Sequence, residues 1–265
     1  MVVGESGSGK STLINSLFLD DLNPEAKEKI GKTVSINTST VEIEEKGVKL
    51  RITIVDTPGY GDAMDNTECF IPINEYIEEQ FECFLKNDRK FTLRKRNLCD
   101  TRVHCCFYCI SPFVHGLKLL DILFMKQLHD KVNIIPLITK ADGLTKEELT
   151  EMKHTVMKEI IENGIRIYTF PDCDSDKDED KQLVNELKRA TPFAVSSALQ
   201  TIEENGTIIE GIEYPSLVDI ENPEHCDLSK LKSMLMTHMQ DLRKVTHKLH
   251  YKTYRAGRLA DKGAK

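Results

Sequence analysis

The first candidate for chemistry is a glycine-rich turn close to the start of the chain. Residues 4–11 read GESGSGKS, which matches the pattern GxxxxGK[ST], and they stand between an apolar run and a helical pattern. In such a loop, backbone N–H groups turn inward around phosphate oxygens, and the following helix N-terminus adds partial positive charge. Lys10 then reaches the outer phosphates, and the Ser11 hydroxyl can ligate Mg²⁺. The predicted phosphate-binding residues are Gly4, Ser6, Gly7, Ser8, Gly9, Lys10, Ser11 and Thr12.

A second candidate motif, DTPG at residues 56–59, follows an apolar predicted strand. Asp56 ends that strand 46 residues after Lys10, where a carboxylate can hold Mg²⁺ through water. The N–H of Gly59 can then meet a γ-phosphate, so the position of the motif favours a GTPase over a chance turn. Tyr60 follows, whereas Ras-type GTPases have a glutamine there that orients the attacking water, and we therefore expect slow intrinsic turnover.

The third motif, TKAD at residues 139–142, bears on which base is bound. Asp142 can accept hydrogen bonds from guanine N1–H and the exocyclic amine, whereas adenine would leave this carboxylate desolvated and unpaired. Lys140 can lie along the base. The usual consensus begins with asparagine, and Thr139 departs from it. After the first two motifs, TKAD therefore predicts a guanine nucleotide.

The elements that must position these motifs alternate between strand and helix along most of the chain. This alternation predicts an α/β fold with an open, mostly parallel central sheet. The chain is expected to begin inside its first strand. Strands are predicted over residues 1–3, 41–56 (a hairpin turning at Lys46 and Gly47), 103–110, 132–138 and 165–170, and helices over residues 12–19, 75–85, 117–129 and 144–163.

The last part of the chain departs from that alternation. Residues 200–222 contain short apolar pieces split by Gly211 and Pro215, which predict a short antiparallel excursion. Asp227 is predicted to open a long helix with apolar residues three or four apart, as a stripe packed against a core requires. The stripe comprises Leu228, Leu231, Leu235, Met239, Leu242, Val245 and Leu249.

Composition and charge argue against several classes of protein. The chain has 36 basic and 43 acidic residues and a net charge of −7, which argues against a general nucleic-acid binder. No apolar run approaches the ~18 residues of a membrane helix, and no signal peptide is visible. Eight cysteines in 265 residues are too dilute for a secreted disulfide scaffold, so we expect a reduced, cytosolic protein.

Two groups of residues look like metal sites at first. Cys106 and Cys109 would point to opposite faces of a strand, so buried thiols acting as small hydrophobes are favoured over a metal centre. The aspartates between residues 172 and 180 mimic a calcium loop, but Lys177 and Leu183 stand where that loop needs glycine and glutamate. A solvated acidic loop that meets a basic partner surface is predicted instead.

Several long stretches carry a family resemblance: GESG at 4–7, DTPGYGD at 56–62, RVHCC at 102–106, SPF at 111–113, HGLK at 115–118, KAD at 140–142 and ENPEH at 221–225. Together they resemble the septin family of GTPases nearly end to end, closest to its septin 2 subgroup. The resemblance implies a three-layer P-loop GTPase core over residues 1–198. A septin-type β-meander with terminal helices over residues 199–265 would complete the same structural domain.

The resemblance also implies a filament subunit that binds GTP or GDP with Mg²⁺. Septins pair with one another through two alternating faces, one containing the nucleotide and one using the terminal helices. Thr33 matches a threonine that the family associates with hydrolysis. His115, Thr145 and Glu148 match positions at or near the nucleotide-containing interface. The implied metal ligands are Ser11, Thr33 and Asp56.

Several residues depart from the family pattern, among them Ser8 in place of a leucine, and three departures bear on the base or the interface. Ser197, still a predicted nucleotide contact, replaces a glycine of the final base-binding loop. Ile212 stands where an arginine usually stacks on guanine, and Ser216 replaces an interface tryptophan. Because a stacked arginine and a buried aromatic each contribute roughly 1 kcal/mol or more, we expect weaker nucleotide retention or altered partner choice.

Two other functions stay open at this point. A structural septin subunit that binds nucleotide with little turnover is compatible with Tyr60, Ser197 and Ile212. An ATP-dependent P-loop kinase is disfavoured by Asp142. The resemblance implies other septins as partners, no nucleic acid, and a location in the cytoplasm and the septin cytoskeleton, at the cell cortex or division site. A full-length form could associate with membranes.

Overall fold

The computed structural model of the chain describes most of the elements that carry the three motifs. Among the described residues, no helix is long and apolar enough to cross a membrane. The predictions for Lys46, Gly47, Thr33, Ser197 and Ser216 fall outside the described part. The described ranges are residues 1–18, 35–45, 48–61, 69–90, 100–172, 178–196, 201–204, 207–213, 217–219 and 226–263.

The main sheet of the described residues has six strands. They are β1 (Val2–Gly4), β2 (Asn37–Glu45), β3 (Val48–Asp56), β4 (Cys106–Ile110), β5 (Ile134–Thr139) and β6 (Phe193–Val195). Their order across the sheet is β2-β3-β1-β4-β5-β6, and of these neighbours only β2 and β3 run antiparallel. The mostly parallel sheet and the hairpin predicted from the sequence are therefore confirmed.

Helices cover both faces of this sheet, which gives the three layers. On one face lie α1 (Lys10–Phe18), α5 (Asp178–Ala190) and α6 (Leu228–Val245), and on the other lie α2 (Ile71–Lys90), α3 (Leu119–Leu128) and α4 (Lys146–Glu162). Apolar residues three or four apart give each helix a buried side, as Ile73, Ile77 and Phe81 do in α2. The Thr145–Glu148 capping box begins α4, and Gly164, with φ of +65°, follows its end.

The two central strands are buried on both faces. Every residue of β4 and β5 is buried, which explains why their sequences are nearly continuous apolar runs. Cys109 packs in the core on the side of α1, and Cys106 packs in the core on the side of α2. The prediction that these two thiols point to opposite faces is confirmed.

The prediction of a strand over residues 165–170 is wrong. This segment is irregular: the Tyr168 N–H donates to the Ile134 carbonyl of β5 at 2.8 Å, whereas the Arg166 N–H donates to His129 Nδ1 at 3.0 Å. Ile165 is buried in the core on one face of the sheet, and Tyr168 and Phe170 are buried in the core on the other, so a loop beside β5 has an apolar pattern like that of a strand. The edge strand beyond β5 is β6, three residues long and too short for the sequence pattern to reveal.

The acidic run is only partly a loop. Asp178 and Asp180 lie in the first turn of α5, so the prediction of a solvated loop is wrong for this half of the run. Negative charge in a first turn suits the positive end of a helix. Asp172, before the helix, pairs with Lys188 in its last turn.

The terminal helix follows the predicted stripe over most of its length. Leu228, Leu231, Leu235 and Leu242 are buried, but Leu249 is 47% exposed, so the stripe ends before it. The reason is a π-helical turn over Thr246–Tyr251, which separates α6 from α7 (Lys252–Gly263). The wider turn rotates the chain and buries other residues in place of Leu249, namely Thr246, His250 and Tyr251.

The excursion between β6 and α6 forms a second, three-stranded sheet. It contains β7 (Thr201–Glu204), β8 (Thr207–Glu213) and β9 (Leu217–Asp219), paired antiparallel in that order. Ile212 lies in β8 and pairs with Val218 of β9. The antiparallel excursion is therefore confirmed.

Candidate functional site

The phosphate loop joins β1 to α1 at the carboxyl edge of the main sheet. Gly7 and Gly9 have φ values of +72° and +88°, which residues with side chains rarely adopt. Gly4 fits close to β4, where an added Cβ would come within 2.7 Å of the Cys109 carbonyl oxygen. The Lys10 ammonium folds back over the loop and donates to the carbonyls of Gly4 and Glu5, at 3.0 and 2.8 Å.

The end of β3 brings Asp56 to this loop. Because β3 runs parallel to β1, with Val2 in register with Asp56, the carboxylate lies beside the start of α1. The Ser11 hydroxyl donates to Asp56 Oδ2 at 2.8 Å. A hydroxyl and a carboxylate are hard oxygen donors of the kind that Mg²⁺ prefers, so this pair fits the proposed ion.

The DTPG turn packs directly against the phosphate loop. A Cβ added to Gly59 would lie 2.4 Å from Ser6 Cα, so the approach requires glycine. The N–H of Ser6 donates to the Tyr60 carbonyl at 2.8 Å. The two motifs, 45 residues apart in the sequence at their closest, therefore form one continuous backbone surface.

The side chain of Tyr60 turns away from that surface into the core. It is 4% exposed, and its hydroxyl bonds to Tyr108 and Asp121. Burial, followed by the nearby Asp121 charge, raises the pKa of Tyr60. Burial also raises the pKa of Asp121 above its ordinary value. The Tyr60 hydroxyl is thus engaged within the protein and does not occupy the water-orienting position of a glutamine.

The TKAD motif approaches the phosphate loop from the end of β5. Lys140 takes a left-handed backbone conformation, with φ of +54°. Its Cε lies 4.0 Å from the position that a Cβ on Gly9 would occupy, so the side chain reaches across the loop. The Thr139 hydroxyl donates to the Ile110 carbonyl at 3.2 Å, which gives this departure from the consensus a structural role.

Sequence reasoning missed one residue that supports the base-recognition loop. The backbone N–H of Asp142 donates to the Ser196 hydroxyl at 3.0 Å, and Ser196 is fully buried. The N–H of Ser196 is held in turn by the Cys226 sulfur at 3.3 Å. Ser196 directly follows β6. Recognising β6 as a strand of the sheet would have placed Ser196 at its carboxyl end, but the sequence pattern did not reveal this strand.

The predicted interface residues lie together on the surface. His115, Thr145 and Glu148 are all exposed. The N–H of Glu148 donates to the Thr145 hydroxyl at 3.3 Å, and the Thr145 N–H donates to Glu148 Oε2 at 2.9 Å. These bonds lower the pKa of Glu148, and the nearby His115 adds to the effect. Thr145 and Glu148 therefore cap α4 whatever else they contact.

The structure brings the predicted residues of all three motifs together at one edge of the main sheet. Ser8, in the middle of the loop, is buried, and its hydroxyl has no hydrogen-bond partner within the described part of the chain. Thr33 and Ser197 fall outside that part. The residues gathered at this edge are Gly4, Ser6, Gly7, Ser8, Gly9, Lys10, Ser11, Thr12, Asp56, Gly59, Lys140 and Asp142.

Comparison with known proteins decides the family. The family model described as Septin matches residues 1–265, the whole chain. The chain belongs to the septin family. As a septin, it has an α/β P-loop GTPase domain of the guanine-nucleotide-binding, cytoskeletal class, as the family resemblance implies.

Individual relatives agree with that assignment. The chain is 58% identical over 272 residues to Septin-1 of Drosophila melanogaster, covering 100% of this chain and 74% of the relative. It is 56% identical over 272 residues to Septin-2 of Rattus norvegicus, covering 100% of this chain and 75% of the relative. The prediction of a resemblance to septin 2 proteins is confirmed.

Two solved structures support the fold. The crystal structure of Cdc11 from Saccharomyces cerevisiae is similar with a TM-score of 0.65 and 33% identity, covering 97% of each chain. The crystal structure of the septin GTPase domain from Chlamydomonas reinhardtii is similar with a TM-score of 0.71 and 26% identity, covering 96% of each chain.

Proposed function

We propose that this septin binds GTP and GDP with Mg²⁺, hydrolyses GTP slowly, and assembles with other septins into hetero-oligomeric filaments. The observation that carries the proposal is the convergence of three loops at one edge of the sheet. Ser11 and Asp56 share a 2.8 Å hydrogen bond. Lys140 reaches across Gly9 of the same loop.

The phosphates would bind at the start of α1. Backbone N–H groups of the loop and the helix N-terminus supply partial positive charge there. Lys10, which now bonds to two carbonyls of the loop, would exchange them for phosphate oxygens. Ser11 and Asp56 would hold Mg²⁺, which neutralises charge on the phosphates when bound.

The base would bind between Lys140 and Asp142. The Asp142 carboxylate accepts two hydrogen bonds from guanine, and the Lys140 stem covers the ring face. Ser196 fixes the backbone of Asp142 and so orients its carboxylate. Ser197 follows Ser196 directly and would contact the base next to it.

Hydrolysis needs a residue that positions water, and the Tyr60 hydroxyl is committed to the core. We assign the positioning of this water to Thr33, which would also be a ligand of Mg²⁺. A second candidate function is a structural septin that holds nucleotide with little turnover. The observation that favours it is the same: Tyr60 offers no group to an attacking water.

Assembly would use two surfaces. His115, Thr145 and Glu148 form an exposed group beside the nucleotide edge that would meet the partner septin across the bound nucleotide. The terminal helices α6 and α7 would supply the second surface. The resulting filaments would lie in the cytoplasm, at the cell cortex or division site.

The nucleotide that copurifies with the protein tests this function. Denatured protein is run on an ion-exchange column, and mostly GDP supports hydrolysis, whereas GTP alone supports the structural subunit. Adenine nucleotide would contradict both. Thr33→Ala should then retain GTP, and an unchanged hydrolysis rate in this variant would remove Thr33 from the mechanism. Thr150→Ala, at an exposed position of α4, is the matched control.

A further inference from the structure

A buried polar network lies behind the phosphate loop, and the proposed function makes no use of it. The Tyr60 hydroxyl oxygen is 2.5 Å from both the Tyr108 hydroxyl and Asp121 Oδ1, and the Tyr108 hydroxyl is 3.0 Å from the same Oδ1. All three residues are at most 5% exposed. A carboxyl group at this depth is unfavourable unless donors compensate it, and the two phenols provide them.

The network is tied to the phosphate loop through the backbone of Tyr60. The Tyr60 carbonyl accepts the Ser6 N–H at 2.8 Å, and Tyr60 forms a parallel bridge with Glu5. Gly59, the preceding residue, is packed on Ser6 with no room for a Cβ. Whatever fixes the Tyr60 side chain therefore also fixes the peptide that carries the Gly59 N–H.

The other end of the network is anchored at the start of α3. Asp121 Oδ2 accepts the backbone N–H of Lys118 at 3.0 Å. The Lys118 ammonium pairs with Glu5 of the phosphate loop at 2.5 Å. Phe124, one turn further along α3, stacks on the Tyr60 ring with 4.4 Å between centroids. Tyr60 is thus held by hydrogen bonds at its tip and by stacking at its ring.

We propose that Tyr60, Tyr108 and Asp121 form a clamp that holds Gly59 where its N–H meets the γ-phosphate, which makes Tyr60 a positioning residue for GTP. This rests on the proposed function, since it concerns the same nucleotide site. GDP lacks the γ-phosphate, so the clamp adds to the affinity for GTP and leaves that for GDP unchanged. Tyr60, which stands in the place of the water-orienting glutamine, therefore favours the binding of GTP over GDP.

The test removes one hydroxyl and measures two affinities. Tyr60→Phe keeps the ring that stacks on Phe124 and deletes the donor to Asp121. We expect its Kd for a slowly hydrolysed GTP analogue with Mg²⁺ to rise about tenfold and its Kd for GDP to change less than about twofold. Tyr108→Phe leaves the Tyr60–Asp121 bond in place and should raise the GTP-analogue Kd by only about threefold.

Tyr168→Phe is the matched control. Its hydroxyl is also buried, in the core on the opposite face of the sheet, but has no hydrogen-bond partner within the described residues. We expect both affinities of this variant to equal those of the wild type. Urea unfolding establishes that each variant is folded, and Tyr108→Phe carries the test if Tyr60→Phe is not.

Three outcomes decide the matter. A selective rise in the GTP-analogue Kd supports the clamp. A folded variant in which the ratio of the Kd values for the GTP analogue and GDP is unchanged, including one that loses affinity for both equally, overturns the clamp. Wild-type protein that binds neither nucleotide overturns the proposed function as well, so the wild-type titration distinguishes the two failures.

Discussion

The two ends of the main sheet use polar side chains in opposite ways. At the carboxyl end, a glycine-rich loop presents backbone donors, and the Lys10 ammonium donates to two carbonyls of that loop. At the other end, just before β4, the Arg102 guanidinium binds both oxygens of Asp100 at 2.7 and 2.8 Å and lies 3.7 Å from the Phe84 ring centroid. It also contacts His247 Nδ1 at 3.1 Å.

This contrast indicates which of the two polar clusters is open to a ligand. Around Lys10, one partner can be exchanged for another because the two carbonyls that it bonds to belong to the glycine-rich loop itself. Arg102 and Lys10 are equally buried, each 7% exposed, but the Arg102 guanidinium contacts the side chains of Asp100, His247 and Phe84. We therefore interpret the first cluster as a binding site and the second as a structural support for the terminal helix.

The largest expected effect is on stability at the Arg102 end. Arg102→Ala would leave Asp100 buried without its bidentate partner, and we expect a loss of about 4 kcal/mol in the free energy of unfolding. Arg102→Lys keeps the charge but not the planar fork and should lose about half as much. Urea unfolding measures both. A loss below about 1 kcal/mol in the alanine variant would mean that this cluster contributes little.

The next effect is on affinity at the phosphate loop. Lys10→Ala removes the ammonium that would bind the phosphates, and we expect GDP to bind about 100-fold more weakly. The control is Lys126→Ala, at an exposed position of α3. Isothermal titration measures both. Wild-type affinity in Lys10→Ala would contradict the assignment of this loop to phosphate binding.

Arg102→Ala should mainly lower stability and Lys10→Ala should mainly lower nucleotide affinity, so the two variants distinguish the roles of the two ends of the sheet. The sequence predicted the phosphate end well because Lys10, Asp56 and Asp142 belong to motifs in which local spacing encodes the site. The Arg102 cluster could not be predicted in this way, since Phe84 and His247 come from distant parts of the chain. The same limit explains why β6 and Ser196 were missed: a three-residue strand has too little pattern of its own.

The pH dependence of stability should come from the Arg102 end. Burial lowers the pKa of His104 from 6.5 to about 4, so the folded protein keeps it neutral where the unfolded chain takes up a proton. Stability should therefore fall as the pH drops from 6.5 towards 4, by about 2 kcal/mol for this group. His104→Gln should flatten that slope. An equal slope in wild type and His104→Gln would contradict the assignment.

The smallest expected effect is at the surface beside the nucleotide edge. Thr145→Ala removes the hydroxyl that accepts the Glu148 N–H, and we expect a loss of about 1 kcal/mol in unfolding free energy. Thr150→Ala, in the same helix, should be nearly neutral because alanine is the better helix former. Equal stabilities of the two variants would show that the cap contributes nothing.

The central claim is that one guanine nucleotide touches both the phosphate loop and Asp142. Asp142→Asn would present an amide that donates to the xanthine carbonyl in place of the lost guanine contacts. Titration of GDP and xanthosine diphosphate should give a ratio of Kd values that shifts at least about tenfold towards xanthine in this variant. In Lys10→Ala both affinities should fall together. An unchanged ratio in Asp142→Asn would contradict the account.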